Sequence, residues 1–398
     1  MPWPEPRRPA PAGPPGAGHP GHQASLHDRI PEQEAPDRGA AGDRVGAGRD
    51  RGGRVPLQVH PRVEAGGHRL TSSRRETEEA HPPAKPVRAA LIGAGHLGQH
   101  HARLYASSPW AELVAVADVL PERALQIASR HGAEAVEDFR SLFGRIDVAS
   151  VAVPTVLHAA IASELMEQGV DVLVEKPVAA TLEQADALIS LARGKKRILM
   201  VGHTERFNPA VEALSARARD VRFVEAHRLG SFSERSVDID VVLDLMIHDL
   251  DVILALTGDR VVSVDAIGIG ALTPKVDIAN ARVRFASGCV ANLTASRISA
   301  QKVRKLRVWE TGRYFSLDYS EQMVEHWFLK EGEGDRPAIG RDTLPVEKDE
   351  PLKREIEEFL GACRSRSRPR VSGEDGRRAL EAALLVLESI GQVAPIRA

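Results

Sequence analysis

Gly93, Gly95 and Gly98 spell G-x-G-x-x-G directly after the apolar run Val87 to Ile92 and directly before a helical stretch. In that setting the first glycine permits a tight turn, the second lets a pyrophosphate approach the backbone, and the third lets the helix pack closely on the strand. His96 and Leu97 complete the turn, where free N–H groups at a helix start attract an anion. Asp118 lies 20 residues beyond Gly98, at the end of the second apolar run, where a carboxylate accepts hydrogen bonds from ribose hydroxyls. An acidic group there repels a 2'-phosphate, and Val119 offers no cation beside it, so the pattern favours NAD over NADP. The bland alternative is a glycine-rich turn followed by a capping aspartate.

Three further groups have types and spacing suited to chemistry. Glu175, Lys176 and Pro177 follow the apolar run Val170 to Val174 and so sit at the carboxyl end of a strand, where open α/β sheets bind ligands. A lysine there can orient a hydroxyl and relay its proton, an ion pair with Glu175 being the alternative. The Lys176-Pro177 bond is a candidate cis peptide. Pro154 and Thr155 occupy the matching end of Val148 to Val153 and His158 opens the next helix, so these three are expected to line the nicotinamide side of a cleft. Asp244, His248 and Asp251 recur at i, i+4 and i+7, which puts an imidazole between two carboxylates on one helical face. That face suits removal of a hydroxyl proton at neutral pH, with Asp244 orienting His248 and Asp251 turned to substrate. Zinc ligation by Asp244 and His248 lacks an evident third ligand, and no metal is expected. Asp249 is assigned to a solvated polar face. Finally, His203 to Pro209 is dense in groups that grip a polar ligand: Arg206 offers a planar fork, Phe207 a flat wall and Asn208 an amide. Its alternative is a turn before a helix, with Arg206 in a structural pair.

These residues need a scaffold that brings strand ends together. From Val87 short apolar runs alternate with helical patterns, which is βαβ arithmetic and predicts a doubly wound parallel sheet, a Rossmann domain over 87–205. After about Ala210 strand candidates succeed one another without helices, from Val221 to Leu229 through Met323 to Leu329. They predict an α/β domain over 206–398 with a large, mainly antiparallel open sheet. Pro351 to Arg364 and Arg377 to Ile390 read as closing helices, the second behind a capping signal from Ser372 and Asp375.

Residues 1–86 differ in kind: they hold 15 of the 26 prolines and 12 of the 33 glycines and are expected to form a disordered tail. The regular pattern begins abruptly at Val87, so the expected translation start lies near there, with the tail an upstream read-through. His19, His22 and His27 read as part of a solvated tail, not as a metal tract. The whole chain has 398 residues, 42% hydrophobic and 27% charged, with a formal net charge of -2, which excludes a global basic field for nucleic acid or anionic lipid. Cys289 and Cys363 are the only cysteines, so a disulfide framework is excluded and the cytoplasm is the expected compartment. The most apolar stretch, Val237 to Leu256, is cut by aspartates and a histidine, so no membrane span is expected.

Taken together, the Gly93 to Gly98 turn, Glu175-Lys176-Pro177, Arg206-Phe207-x-Pro209 and the Asp244 and His248 pair resemble the glucose-fructose oxidoreductase, inositol dehydrogenase and rhizopine catabolism family over about Val87 to Ile390. The resemblance implies oxidation or reduction of sugar or cyclitol hydroxyls, with Lys176 and His248 at the positions that carry the chemistry, and oligomer contacts, a homodimer or homotetramer, through the open sheet. Within the family, Gly202 to Ala210 looks most like the enzymes that oxidise the 3-hydroxyl of UDP-N-acetylglucosamine or its uronic acid, the neutral sugar being favoured because no extra basic insertion meets a uronate, and that feed an aminotransferase in the synthesis of amino sugars for lipid A or surface polysaccharide. A free cyclitol or hexose is the competing substrate class, and a non-catalytic NAD-binding regulator is the competing role.

Overall fold

The computed structural model describes residues 85–233, 239–332 and 337–392. The tail, except its last two residues, and the three histidines in it lie outside the described residues. Six strands, β1 (Val87–Ile92), β2 (Ala111–Ala117), β3 (Glu134–Val136), β4 (Val148–Val151), β5 (Asp171–Glu175) and β6 (Leu199–Gly202), form a parallel sheet in the order β3-β2-β1-β4-β5-β6. Helices α1 (Gly98–Ser107), α2 (Pro121–His131), α3 (Thr155–Glu167) and α4 (Leu182–Lys195) make the crossovers. Because helices cover the sheet, β4 and β5 are buried at every position, which is why they read as continuous apolar runs. The strand order reverses between β1 and β4, the kind of switch point at whose carboxyl ends open α/β sheets bind ligands. Strand β3 escapes the sequence pattern because its three residues at the sheet edge are too short to show a period.

The second sheet has eight strands: β7 (Phe223–Leu229), β8 (Val261–Ile269), β9 (Ile278–Phe285), β10 (Val290–Ser296), β11 (Val303–Glu310), β12 (Arg313–Asp318), β13 (Met323–Lys330) and β14 (Ala338–Thr343). Their order is β14-β13-β12-β11-β7-β10-β9-β8, and only the β7 and β10 pair is parallel. Burial alternates strictly along β7 and β9, so one face is covered and one is open. The covering layer includes α5 (Pro209–Arg217), α6 (Ile247–Thr257) and α8 (Gly373–Gln392), whose apolar residues join those of the sheet in one core. Helix α7 (Pro351–Ser365) instead sends Ile356, Phe359 and Leu360 into the core of the parallel sheet, so a late segment of the chain completes the first layer.

Two helix boundaries differ from the sequence expectation for local reasons. Helix α8 starts at Gly373, four residues before Arg377, because Ser372 caps it: the Ser372 amide and hydroxyl donate to Asp375 Oδ2 at 3.0 and 2.8 Å. The stretch Val241 to Leu256 is not one regular helix: Val242–Met246 forms a π-helical turn that runs into α6. That turn widens the helix at Asp244, immediately before His248. Among the described residues no helix is long and apolar enough to cross a membrane.

Candidate active site

Each glycine of the turn after β1 has its own reason. Gly93 has φ of +103°, and a Cβ there would lie 2.4 Å from the Ala152 carbonyl oxygen. A Cβ on Gly98 would lie 2.0 Å from the Gly93 oxygen, so the third glycine closes the turn on itself. Gly95 differs, since a Cβ there would meet nothing within 4 Å and would point into open space. That open approach, with an α1 start that has no side-chain cap and no acidic residue in its first turn, fits a dinucleotide diphosphate. His96 and Leu97 are exposed in the turn. Asp118 follows directly after β2 and braces the turn, accepting from the Ala94 amide at 2.7 Å and the Leu120 amide at 2.9 Å. Pro154 and Thr155 stand exposed and half-buried at the end of β4.

The chemistry-bearing groups meet where the carboxyl end of β5 faces the start of α6. Lys176 follows β5, and its Nζ donates to the Asp244 carbonyl oxygen at 2.7 Å and to Asp244 Oδ1 at 3.1 Å. The peptide after it, Lys176-Pro177, is cis. Asp244 was expected to orient His248, but it orients Lys176 instead, because the π-helical turn presents its main-chain and side-chain oxygens together to the ammonium. His248, one turn on, is half-buried, and its Nδ1 is buried without a hydrogen-bond partner among the described residues. Burial first, then the charges of Lys176 and Arg228, pushes its imidazole well below the ordinary histidine value. The site therefore pairs a held ammonium with a neutral imidazole, one suited to polarise a hydroxyl and the other to take its proton. Among the described residues no three His, Cys, Asp or Glu side chains come together as a metal ion would require.

Several expected ligand contacts turn inward. Glu175 is 6% exposed and binds His101 Nε2 at 3.0 Å, while His101 Nδ1 meets Ser150 Oγ at 3.0 Å and Ser150 meets the Tyr105 hydroxyl at 2.7 Å. Burial pushes the Glu175 carboxyl up, but the His101 contact and the nearby Lys176 charge outweigh it and hold it below its usual range. It fixes the strand end behind Lys176 and does not line the cofactor crevice. His158 is also buried, a clamp between the Val153 and Pro177 carbonyl oxygens, each at 2.8 Å. Its burial keeps the ring neutral, and a neutral ring donates to only one of them at a time.

The segment after β6 is corrected most. Asn208 spends every polar atom on the fold: Oδ1 accepts from the Ala210 amide at 3.1 Å as the cap of α5, and Nδ2 donates to Glu205 and to the Tyr319 carbonyl. Phe207 is 1% exposed beneath the Arg370 guanidinium, which lies 5.0 Å from its ring centre, so it is no wall for a ligand. Arg206 Nη1 lies 3.4 Å from Asp251 Oδ1, and Asp251 is itself buried, so the proposed substrate pair answers its own charge. Asp249 is not solvated either: it is buried and holds Arg228 with two hydrogen bonds, at 2.8 and 2.9 Å. Arg228 also reaches Glu205 at 2.9 Å, and this buried bridge ties β7 to α6 and to the segment after β6.

His203 opens the cluster named in the sequence, but no site role is assigned to it there. It follows β6, is fully buried, and meets the His248 ring edge-on with centroids 6.2 Å apart. The signal that could have marked it is its place at the carboxyl end of the strand next to β5.

Comparison with known proteins agrees with this fold. Residues 87–203 match the family model described as an oxidoreductase family with an NAD-binding Rossmann fold, and residues 211–314 match the Gfo/Idh/MocA C-terminal domain. The UDP-N-acetylglucosamine 3-dehydrogenase of Acidithiobacillus ferrooxidans is 38% identical over 302 residues, which are 75% of this chain and 96% of that protein. Its solved structure superposes with a TM-score of 0.73 over 77% of this chain and 98% of that one. The inositol 2-dehydrogenase of Rhizobium meliloti is 28% identical, covering 77% of this chain and 97% of its own length.

Proposed function

The chain belongs to the Gfo/Idh/MocA oxidoreductase family, and from that premise we propose that it oxidises the 3-hydroxyl of UDP-N-acetylglucosamine with NAD, leaving a 3-keto sugar. The observation that supports this reading is the contact of Lys176 with Asp244, one turn before His248, so that an ammonium stands near a neutral imidazole at the carboxyl end of β5. The 38% identity to a dehydrogenase of that nucleotide sugar, along 96% of its length, supports the substrate.

The residues divide the work by charge. Gly95 and the uncapped start of α1 would hold the diphosphate of the cofactor, and Asp118 its adenosine ribose. Bound NAD supplies the acceptor for the C3 hydride. Lys176, fixed by both oxygens of Asp244, donates a hydrogen bond to the hydroxyl oxygen and steadies the negative charge that grows there. His248, neutral at working pH, takes the hydroxyl proton.

The open face of the second sheet is where copies of the chain meet in a homodimer or homotetramer. It carries a continuous aromatic row, Phe223, Trp309, Tyr314 and Trp327, with successive ring centres 5.0, 4.9 and 4.9 Å apart, which is more aromatic surface than a monomer needs to show water. The 3-keto product feeds an aminotransferase, in a route to amino sugars of lipid A or surface polysaccharide. Two buried, unpaired cysteines suit work in the reducing cytoplasm.

The inositol 2-dehydrogenase likeness makes a free cyclitol the competing substrate. Steady-state NADH formation decides between them: the proposal requires a kcat/KM for UDP-N-acetylglucosamine far above that for myo-inositol or free N-acetylglucosamine. Equal or better use of the free compounds overturns it.

A further inference from the structure

Around His248 the protein interior holds polar atoms that the fold does not satisfy. Both ring nitrogens of His203, Nδ1 of His248, Oδ2 of Asp251 and both carboxyl oxygens of Glu355 are buried without a hydrogen-bond partner among the described residues. Native interiors rarely leave such atoms unpaired, and a set of them in one place calls for buried water. They are in one place: the His203 and His248 rings touch edge to face, Asp251 lies one turn along α6 from His248, and Glu355 projects from α7, which packs on the segment after β6 that His203 begins. His203 and Glu355 are each 0% exposed.

Chemistry supplies a use for this water. Every oxidation releases one hydroxyl proton, and once sugar and dinucleotide cover the cleft, bulk water no longer reaches the cleft side of His248. An imidazole that gains a proton on one nitrogen can lose one from the other, and Nδ1 is the nitrogen turned into the protein.

We propose that His203 is a positioning residue for the reaction, acting through His248: it holds the buried water that takes the proton from His248 Nδ1 and delivers it to the Asp251 carboxylate, with the Glu355 carboxyl hydrogen-bonded to the same water. The inference rests on the reading of His248 as the proton acceptor. The step balances as one proton lost from His248 Nδ1 and one gained by Asp251, which gives it up again when the cleft reopens, with the hydride leaving separately. The groups facing His203 are mixed in sign: His248 and Asp251 from α6, Arg206 from its own segment, and Lys176 and Glu175 from the end of β5. Burial keeps its ring neutral, able to donate from one nitrogen and accept on the other, as a relay requires. Burial and the nearby Glu175 charge likewise keep Glu355 protonated well above the usual carboxyl range.

The test compares His203→Phe, His203→Gln and Glu355→Leu with the wild-type chain on whichever substrate the wild type oxidises. His203→Phe keeps a ring but no nitrogen, and kcat is expected to fall about tenfold or more, with KM within about twofold and a larger solvent deuterium isotope effect on kcat. His203→Gln, which can still hold water, recovers part of the rate. Glu355→Leu lowers kcat in the same way while raising Tm, because an unpartnered buried carboxyl is removed, so misfolding does not explain its loss. Wild-type kcat and isotope effect in His203→Phe, or a fall in kcat with the isotope effect unchanged, overturns the proposal. Failure of UDP-N-acetylglucosamine alone strikes the substrate reading and leaves this test intact on a cyclitol. A crystal structure of the whole chain reads the relay without activity: ordered water between the two imidazoles supports it, and a dry contact overturns it.

Discussion

Two polar clusters flank the same cleft, and only one of them keeps its polarity for a ligand. At the end of β5, Lys176 is held by oxygens of Asp244 from a different layer of the molecule, and the imidazole beside it has a buried nitrogen with no partner among the described residues. After β6, Arg206 and Asn208 look equally equipped in sequence, yet Asp251, Glu205, Ala210 and Tyr319 use their hydrogen-bonding capacity. The lesson is that ligand chemistry is marked by polar capacity the fold leaves over, and the density of polar residues does not measure that.

The widest separation between the clusters comes from truncation. His248→Ala is expected to lower kcat by about 10²- to 10⁴-fold while NAD affinity by calorimetry stays within about twofold. Lys176→Ala behaves alike, and wild-type turnover in either removes it from the mechanism. Phe207→Ala is expected to do the reverse, costing about 3–5 kcal/mol in denaturant unfolding with little change in KM for the sugar. Asn208→Ala loses the cap of α5 and costs about 1–2 kcal/mol, again with KM preserved. A large KM increase in a stable Asn208→Ala protein would return that residue to the substrate site.

The glycine turn offers a finer version of the same contrast. Gly95→Ala meets open space, so Tm should hold while NAD affinity falls about tenfold or more, since the new Cβ stands where the diphosphate approaches. Gly98→Ala meets the Gly93 carbonyl and should lower Tm as well. Equal effects of the two on Tm would show that the turn is not divided in this way.

The smallest effect is in the pH dependence of stability. His158, His203 and His248 are all held below the ordinary histidine value, chiefly by burial, so the unfolded chain takes up these protons first as pH falls. Their stabilising contribution is complete above about pH 6.5 and is lost as pH falls from there through the folded values. Glu355 runs the other way: its carboxyl is held above the usual range, so it favours unfolding progressively as pH rises above about 4.3. The Tm gain of Glu355→Leu should therefore grow from mildly acid to neutral pH, and a gain independent of pH would contradict its buried neutral state.

The sequence made the parallel sheet, its glycine turn and the Lys176 and His248 pair legible because each rests on local pattern. A strand buried on both faces is an unbroken apolar run, and the turn is a spacing of glycines that sterics alone dictates. The partners of Asp244, Asp249 and Asn208 were not legible. Asp244 depends on a π-helical turn that no periodicity announces, Asp249 on an arginine 21 residues away on β7, and Asn208 on a carbonyl 111 residues away at Tyr319. The role of His203 was not legible for the same reason, since its neighbour His248 lies in another layer.

The measurement that bears most directly on the central claim is isotope transfer from the sugar. UDP-N-acetylglucosamine carrying deuterium at C3 would be incubated with the full chain and NAD, with an aminotransferase present to draw off the ketone, and the reduced cofactor analysed by mass spectrometry. Singly deuterated NADH is expected with the wild-type chain and almost none with His248→Ala. Unlabelled NADH, or labelled NADH formed equally well without His248, would contradict it.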